Sequence, residues 1–208
     1  VDLRFKNYIF DFDGTIANTL YTSLAVAKDI NSRYKIIKGD LPSIEEIRNL
    51  SSRDLYAQLH LSKIQLFYFT FLFLNGLSKE IPNSEAVFDM KETLEYLKSA
   101  ECVIGIVTSS RKKPVKKFLE KNNMPIFDFV DSSIHVFGKD KVLRRVLKKY
   151  NLNPLETVYI GDETRDIDAA RKAGIHACSV TWGLNSEQVL KQSNPDFIIS
   201  KPNELLML

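Results

Sequence analysis

The sequence predicts an α/β fold: a doubly wound parallel sheet, interrupted by one helical insertion. Three observations predict it. Short runs at 8–12, 103–107, 157–160, 176–180 and 196–199 are rich in β-branched and aromatic residues and almost continuously apolar. Strands covered on both faces have this character. From residue 89 to the end these runs alternate with amphipathic helical patterns. Residues 17–85 break the alternation and read as helical throughout.

Each element has its own signal. In residues 140–150, Val142, Leu143, Val146, Leu147 and Tyr150 form one stripe, with Arg144, Arg145, Lys148 and Lys149 on the opposite face. Residues 114–121 turn Val115, Phe118 and Leu119 inward and lysines outward. Ala169, Ala170 and Ala173 mark a helix of small residues closed by Gly174, a glycine of the kind that ends helices. The insertion has a turn at Lys38-Gly39-Asp40-Leu41-Pro42 and a break at Ile81-Pro82-Asn83. It follows the first strand's C-terminal end, so it is expected over the crevice where α/β sheets bind ligands, as a lid. The expected division is therefore a core of residues 1–16 and 86–208 and a cap of residues 17–85.

Composition narrows the functional classes. With 208 residues, 44% apolar and 26% charged, the chain can bury a core without disulfides or a structural metal. A net charge of +3 carries no sign of a nucleic-acid partner. Cys102 and Cys178 stand alone, which points to buried thiols and a reducing, cytoplasmic location. The most apolar stretch, residues 66–74, has nine residues, whereas a membrane span needs about 20. Its aromatics Phe67, Tyr68, Phe69, Phe71 and Phe73 are expected as the core of the cap, with a pocket lining as the other reading.

Four groups at successive strand ends carry chemistry. The first strand ends Asp11-Phe12-Asp13-Gly14-Thr15. Residues i and i+2 of a strand point the same way. Two carboxylates about 4 Å apart repel by roughly 4 kcal/mol at an effective dielectric of 20. A cation or a shared proton is the usual reason for such a pair. Gly14 permits a tight turn, and Thr15 offers a hydroxyl and an N–H. The second group is Gly161-Asp162-Glu163-Thr164-Arg165-Asp166, where a strand passes into the alanine helix. The third is Thr108-Ser109-Ser110; the fourth is Gly138-Lys139-Asp140-Lys141, where Lys139 is favoured over Lys141 because it enters the helix directly after Gly138. Taken singly, Asp13-Gly14 reads as a turn, Asp166 as a helix cap, and Thr108 as a group satisfying a strand end.

Taken together, D-x-D-G-T at 11–15, a strand ending in Thr108, Lys139 and G-D-x-x-x-D at 161–166 resemble the haloacid-dehalogenase-like hydrolase superfamily. The likeness covers nearly the whole chain and is strongest to the phosphoglycolate-phosphatase-like branch. It implies a three-layer Rossmann-like parallel sheet of order 5-4-1-2-3 with a helical cap after the first strand. It also implies a phosphatase that hydrolyses a small phosphorylated metabolite, such as a phosphoglycolate-like ester, through an aspartyl-phosphate intermediate. By the resemblance, Asp11 is the nucleophile and Asp13 the acid that protonates the leaving alkoxide and then activates water. Thr108 and Lys139 bind the phosphoryl oxygens, with Gly14, Thr15 and Ser109 completing the substrate-binding set. Mg²⁺ is held by Asp11, the Asp13 main-chain carbonyl and Asp162, with Asp166 behind them. No nucleic acid or membrane is expected as a partner, and the chain is expected as a monomer or weak homodimer.

Other chemistries fit poorly. Neither cysteine is followed by an arginine at the spacing that cysteine phosphatases need, and Gly138-Lys139 lacks the rest of a P-loop. His60, His135 and His176 show no metal spacing. A sugar phosphomutase shares every motif and differs only in the acceptor of the phosphoryl group. A phosphate-binding receiver without turnover is the non-enzymatic alternative.

Overall fold

The computed structural model describes residues 3–124, 126–132 and 138–208. Strand β1 (Asn7–Phe10) leads into four helices, α1 (Leu20–Tyr34), α2 (Ile44–Arg48), α3 (Ser52–Gln58) and α4 (Lys63–Glu80). After α5 (Met90–Ser99) the chain alternates: β2 (Val103–Thr108), α6 (Lys112–Lys121), β3 (Phe129–Ser132), α7 (Lys139–Lys149), β4 (Thr157–Gly161), α8 (Thr164–Ala173), β5 (His176–Val180), α9 (Glu187–Gln192) and β6 (Phe197–Ile199). His135 lies outside the described residues.

All strand pairs are parallel, in the order β3-β2-β1-β4-β5-β6. The expected order 5-4-1-2-3 is contained in this one, and the correction is a sixth strand on the edge beside β5. The run at 196–199 is that sixth strand. The strand that sequence reading missed is β3, whose four residues, Phe-Val-Asp-Ser, lack a continuous apolar run. Its Asp131 is nevertheless buried, because Lys112 and Lys149 reach it at 3.1 and 3.3 Å.

Alternation along the strands explains why the central ones read as continuous apolar runs. Tyr8 and Phe10 of β1 enter the core on one sheet face with Met90, Leu94 and Phe118 from α5 and α6. Ile9, between them, enters the core on the other face with Val142, Leu143 and Val146 of α7 and Ile167 and Ala170 of α8. Each such buried side chain contributes about 2 kcal/mol of transfer free energy.

The insertion contains two helices opened by reciprocal caps. Ser43 and Glu46 start α2, and Ser62 and Gln65 start α4. The aromatic run lies within α4 and divides between two faces. Phe67, Tyr68 and Phe71 are exposed, whereas Phe69 and Phe73 face a cavity beneath the helix. Among the described residues no helix is long and apolar enough to cross a membrane.

Candidate active site

Parallel pairing places the carboxyl ends of β1, β2 and β4 side by side, and the chemistry-bearing residues follow from there. Asp11 is the first residue past β1. Its backbone N–H donates to Ile160 at 2.8 Å, continuing the β1–β4 pairing by one residue. Its Oδ1 accepts from the Phe12 N–H at 2.8 Å, and its Oδ2 accepts from Lys139 Nζ at 2.8 Å. Lys139 Nζ also donates to Asp166 Oδ1 at 2.6 Å and lies 5.5 Å from the Tyr159 ring centre. Lys139 is buried and Lys141 is exposed. The reason is periodic: residues 139, 142, 143, 146 and 147 share the inward face of α7, and Lys141 belongs to the outward one. That spacing was legible in the sequence and is a stronger signal than the preceding glycine.

Asp162 sits one residue past β4. Its Oδ1 accepts from the Thr15 hydroxyl at 3.2 Å and its Oδ2 from the Leu184 N–H at 2.7 Å. Two glycines make room for it. A Cβ on Gly14, whose φ is +73°, would lie 2.2 Å from Asp162 Oδ2. A Cβ on Gly183 would lie 2.2 Å from the Asp162 Cβ. Asp166 serves two structures at once: it accepts from the Glu163 N–H at 3.1 Å at the start of α8 while pairing with Lys139.

Asp13 faces elsewhere. Its Oδ2 accepts from the Ser110 hydroxyl at 2.6 Å, and its Oδ1 is buried without a hydrogen-bond partner among the described residues. Thr108 is buried at the end of β2, and its Oγ1 accepts from the Ser110 N–H at 2.9 Å. Ser109 borders the cavity with Asp13, Gly14 and Asp162. The sequence gives no sign of this role for Ser110, because nothing in a Ser-Ser pair says which hydroxyl turns toward Asp13.

Burial dominates the electrostatics. It pushes the Asp11 carboxyl up to about 7, against the pull of Lys139. It raises Asp162 well above the usual carboxylate range, with Glu163 and Asp166 adding to the effect. Asp13 is also raised by burial, and the Ser110 hydrogen bond opposes the shift. Burial alone would lower Lys139, but Asp11 and Asp166 outweigh it and hold the ammonium well above its ordinary value.

These features fit a hard divalent cation. Asp11, Asp162 and Asp166 are all buried, and each presents a carboxylate oxygen within 4.8 Å of the others. Ionised, the three exceed the single charge of Lys139 by two, so a divalent ion balances them. Oxygen-only donors are what such an ion prefers. The Asp13 carboxylate is not in that group.

The insertion is fastened to the same loops. Arg48 Nη1 donates to the Gly183 carbonyl and Nη2 to the Thr181 carbonyl at 3.1 Å. Asn185, wholly buried, accepts from the Thr164 N–H at 2.9 Å and donates to the Leu50 carbonyl at 2.8 Å. Trp182 Nε1 donates to the Thr15 carbonyl at 3.1 Å, so the loop after β5 reaches the crevice rim.

A parallel sheet with a roofed crevice and buried carboxylates at its central strand ends defines an α/β enzyme, and the comparisons say of which kind. Residues 8–180 match the model of the haloacid dehalogenase-like hydrolases, and the chain belongs to that family. It is a hydrolase. It is similar to the phosphoglycolate phosphatase of Synechococcus elongatus, at 29% identity over 199 residues, covering 95% of this chain and 94% of that one. It is also similar to the pyrophosphatase PpaX of Bacillus mycoides, at 25% identity over 210 residues, covering 98% and 96%. A crystal structure of a predicted phosphatase from Clostridium acetobutylicum shares the fold, with a TM-score of 0.83 and 19% identity over the whole of both chains.

Proposed function

We propose that this chain is a Mg²⁺-dependent phosphomonoesterase acting on a small phosphorylated metabolite through an aspartyl phosphate. The observation that carries this reading is the Asp11 carboxylate, buried between Lys139 and the oxygens of Asp162 and Asp166, with Asp13 close by on Ser110. Residues 1–16 and 86–208 supply the catalytic core in this reading, and residues 17–85 the cap.

In the first step an Asp11 carboxylate oxygen bonds to phosphorus while the ester oxygen leaves with its electron pair. Asp13 donates a proton to that alkoxide. Its burial, which raises its pKa, supports the acid role. In the second step Asp13, now a carboxylate, takes a proton from water as the water oxygen bonds to phosphorus and the Asp11 oxygen leaves. Lys139 holds Asp11 in place and offers positive charge to the phosphoryl oxygens, with Thr108 and Ser109 as hydroxyl donors. A divalent cation held by Asp11, Asp162 and the Asp13 carbonyl, with Asp166 behind, would neutralise the carboxylates and the incoming phosphate. Two free, buried thiols suit the cytoplasm as its location.

Release of phosphate from p-nitrophenyl phosphate, dependent on added Mg²⁺, tests the reading. Asp11→Asn should lose at least about a thousandfold in turnover while keeping its far-UV circular dichroism. Undiminished turnover by that variant would refute Asp11 as the nucleophile.

A further inference from the structure

Arg165, the second residue of α8, is the one cation among the described residues that lines the cavity between the insertion and the core. It borders that cavity together with Asp13, Asp162 and Glu163. Its Nη2 donates to Glu163 Oε1, and Glu163 Oε2 accepts from the Ser52 hydroxyl of α3 at 3.0 Å. The guanidinium is therefore pinned along one edge. Its Nε is buried without a hydrogen-bond partner among the described residues, although the side chain as a whole keeps 27% of its area exposed. Its charge is felt at the reacting centre, where it opposes the rise of the Asp11 and Asp13 carboxyls.

The two steps at phosphorus make no use of this group. Folded proteins seldom leave a buried N–H unpaired, and a guanidinium is shaped to hold a carboxylate or a phosphate. The local charge admits such a guest. A divalent ion and Lys139 balance Asp11, Asp162 and Asp166, and Asp13 enters the reaction protonated. The charged groups that remain around the cavity are Glu163 and Arg165, which cancel. Leu24, Leu55, Phe69 and Phe73 form much of the remaining wall, so water competes poorly for a bond made there.

We propose that Arg165 is a specificity-determining residue whose Nε–H binds a second anionic group, a carboxylate or a phosphate, carried on the leaving group of the substrate. The inference rests on the phosphomonoesterase reading and adds the chemistry of the alcohol and the residue that reads it.

The test is kcat/KM with Mg²⁺ for three esters with a common two-carbon body: ethyl phosphate, phosphoglycolate and ethylene glycol bisphosphate. At least one charged ester should exceed ethyl phosphate by about 10–100-fold, the worth of a charge-assisted hydrogen bond, and which one does so tells carboxylate from phosphate. Arg165→Met should bring that ratio near unity. Glu163→Gln, which leaves the guanidinium uncompensated, should raise it severalfold. The double variant strands neither charge, so it should fold and again show a ratio near unity. Because a ratio between esters cancels any general loss of fold or turnover, a merely structural role for Arg165 would leave it unmoved. Calorimetry with propylphosphonate, 3-phosphonopropionate and butane-1,4-bisphosphonate reads the same preference without turnover. Equal efficiency on all three esters, or a ratio that survives the loss of Arg165, overturns this inference and leaves the phosphomonoesterase reading intact. If not even p-nitrophenyl phosphate releases phosphate, that reading fails and the phosphonate series decides the role of Arg165 by itself.

Discussion

Lys139 and Asp11, 128 residues apart, form a buried ion pair of 2.8 Å. Asp166 joins the same ammonium at 2.6 Å. Breaking a buried pair by removing one partner costs about 3–5 kcal/mol, because the other charge is stranded. Lys139→Met should therefore destabilise the protein by about 3 kcal/mol at pH 8. The loss should be smaller at pH 5, where the carboxylates left behind take up protons. Urea unfolding at the two pH values checks this, and an equal loss at both would contradict it.

Metal addition should offset what the loss of protons takes from stability. In the metal-free protein Asp11 has a pKa of about 7 against an ordinary value of 3.8. Between those values the folded state holds a proton that the unfolded chain has released, so this group's contribution to stability falls as pH rises. Asp162 shifts in the same direction. A cation binding the ionised carboxylates reverses that loss. At a hundredfold excess over Kd, Mg²⁺ should raise Tm by about 5–10 °C at pH 8. The shift should be much smaller at pH 5, as differential scanning calorimetry with EDTA as the reference would show.

Burial raises the Asp13 carboxyl, and Ser110 opposes that shift through a 2.6 Å hydrogen bond. The bond favours the carboxylate, so Ser110→Ala should raise the pKa of Asp13 further above its ordinary value. The alkaline limb of kcat/KM, which reports the acid form, should then move to higher pH. Turnover near neutral pH should fall on the order of tenfold as the carboxylate becomes scarcer in the hydrolysis step. An unmoved limb would separate Ser110 from Asp13.

Gly183 guards the position of Asp162. A methyl group there would meet the Asp162 Cβ at 2.2 Å, well inside contact distance. Gly183→Ala should displace the carboxylate and weaken Mg²⁺ binding by about 10–100-fold, the range typical of groups that orient metal ligands. Mg²⁺ titration followed by calorimetry measures this independently of turnover.

Asn185 ties α8 to the insertion through Thr164 and Leu50. Asn185→Ala leaves a buried N–H and a carbonyl unpaired, and should cost about 2–4 kcal/mol. The same variant should speed proteolytic cleavage in residues 17–85, because the fastening between the two parts is lost. Unchanged protease resistance would show that the remaining bonds, from Arg48 to the Gly183 and Thr181 carbonyls and from Ser52 to Thr164 and Glu163, suffice.

The core elements, except β3, were legible because their signals are local. A strand buried on both faces must be apolar at every position, and a helix against a sheet must repeat its apolar residues every three or four. Acids placed directly after such strands therefore announce themselves, as Asp11 and Asp162 do. Lys139 could also have been told from Lys141 by the same helical spacing. β3 escaped because four residues with an aspartate in the middle carry too little apolar signal, and the lysines that accommodate Asp131 come from α6 and α7.

What the sequence by itself determined is the alternating α/β plan, the insertion point after β1 and the order in which reactive residues reach the strand ends. Each follows from neighbours within a few positions. Tertiary structure alone decided that Ser110 rather than Ser109 meets Asp13, that Gly183 clears space for Asp162, and that Phe69 and Phe73 line a cavity while Phe67 and Phe71 face water. Those outcomes depend on the rotation of one packed element against another, and no short-range pattern in the chain encodes that angle.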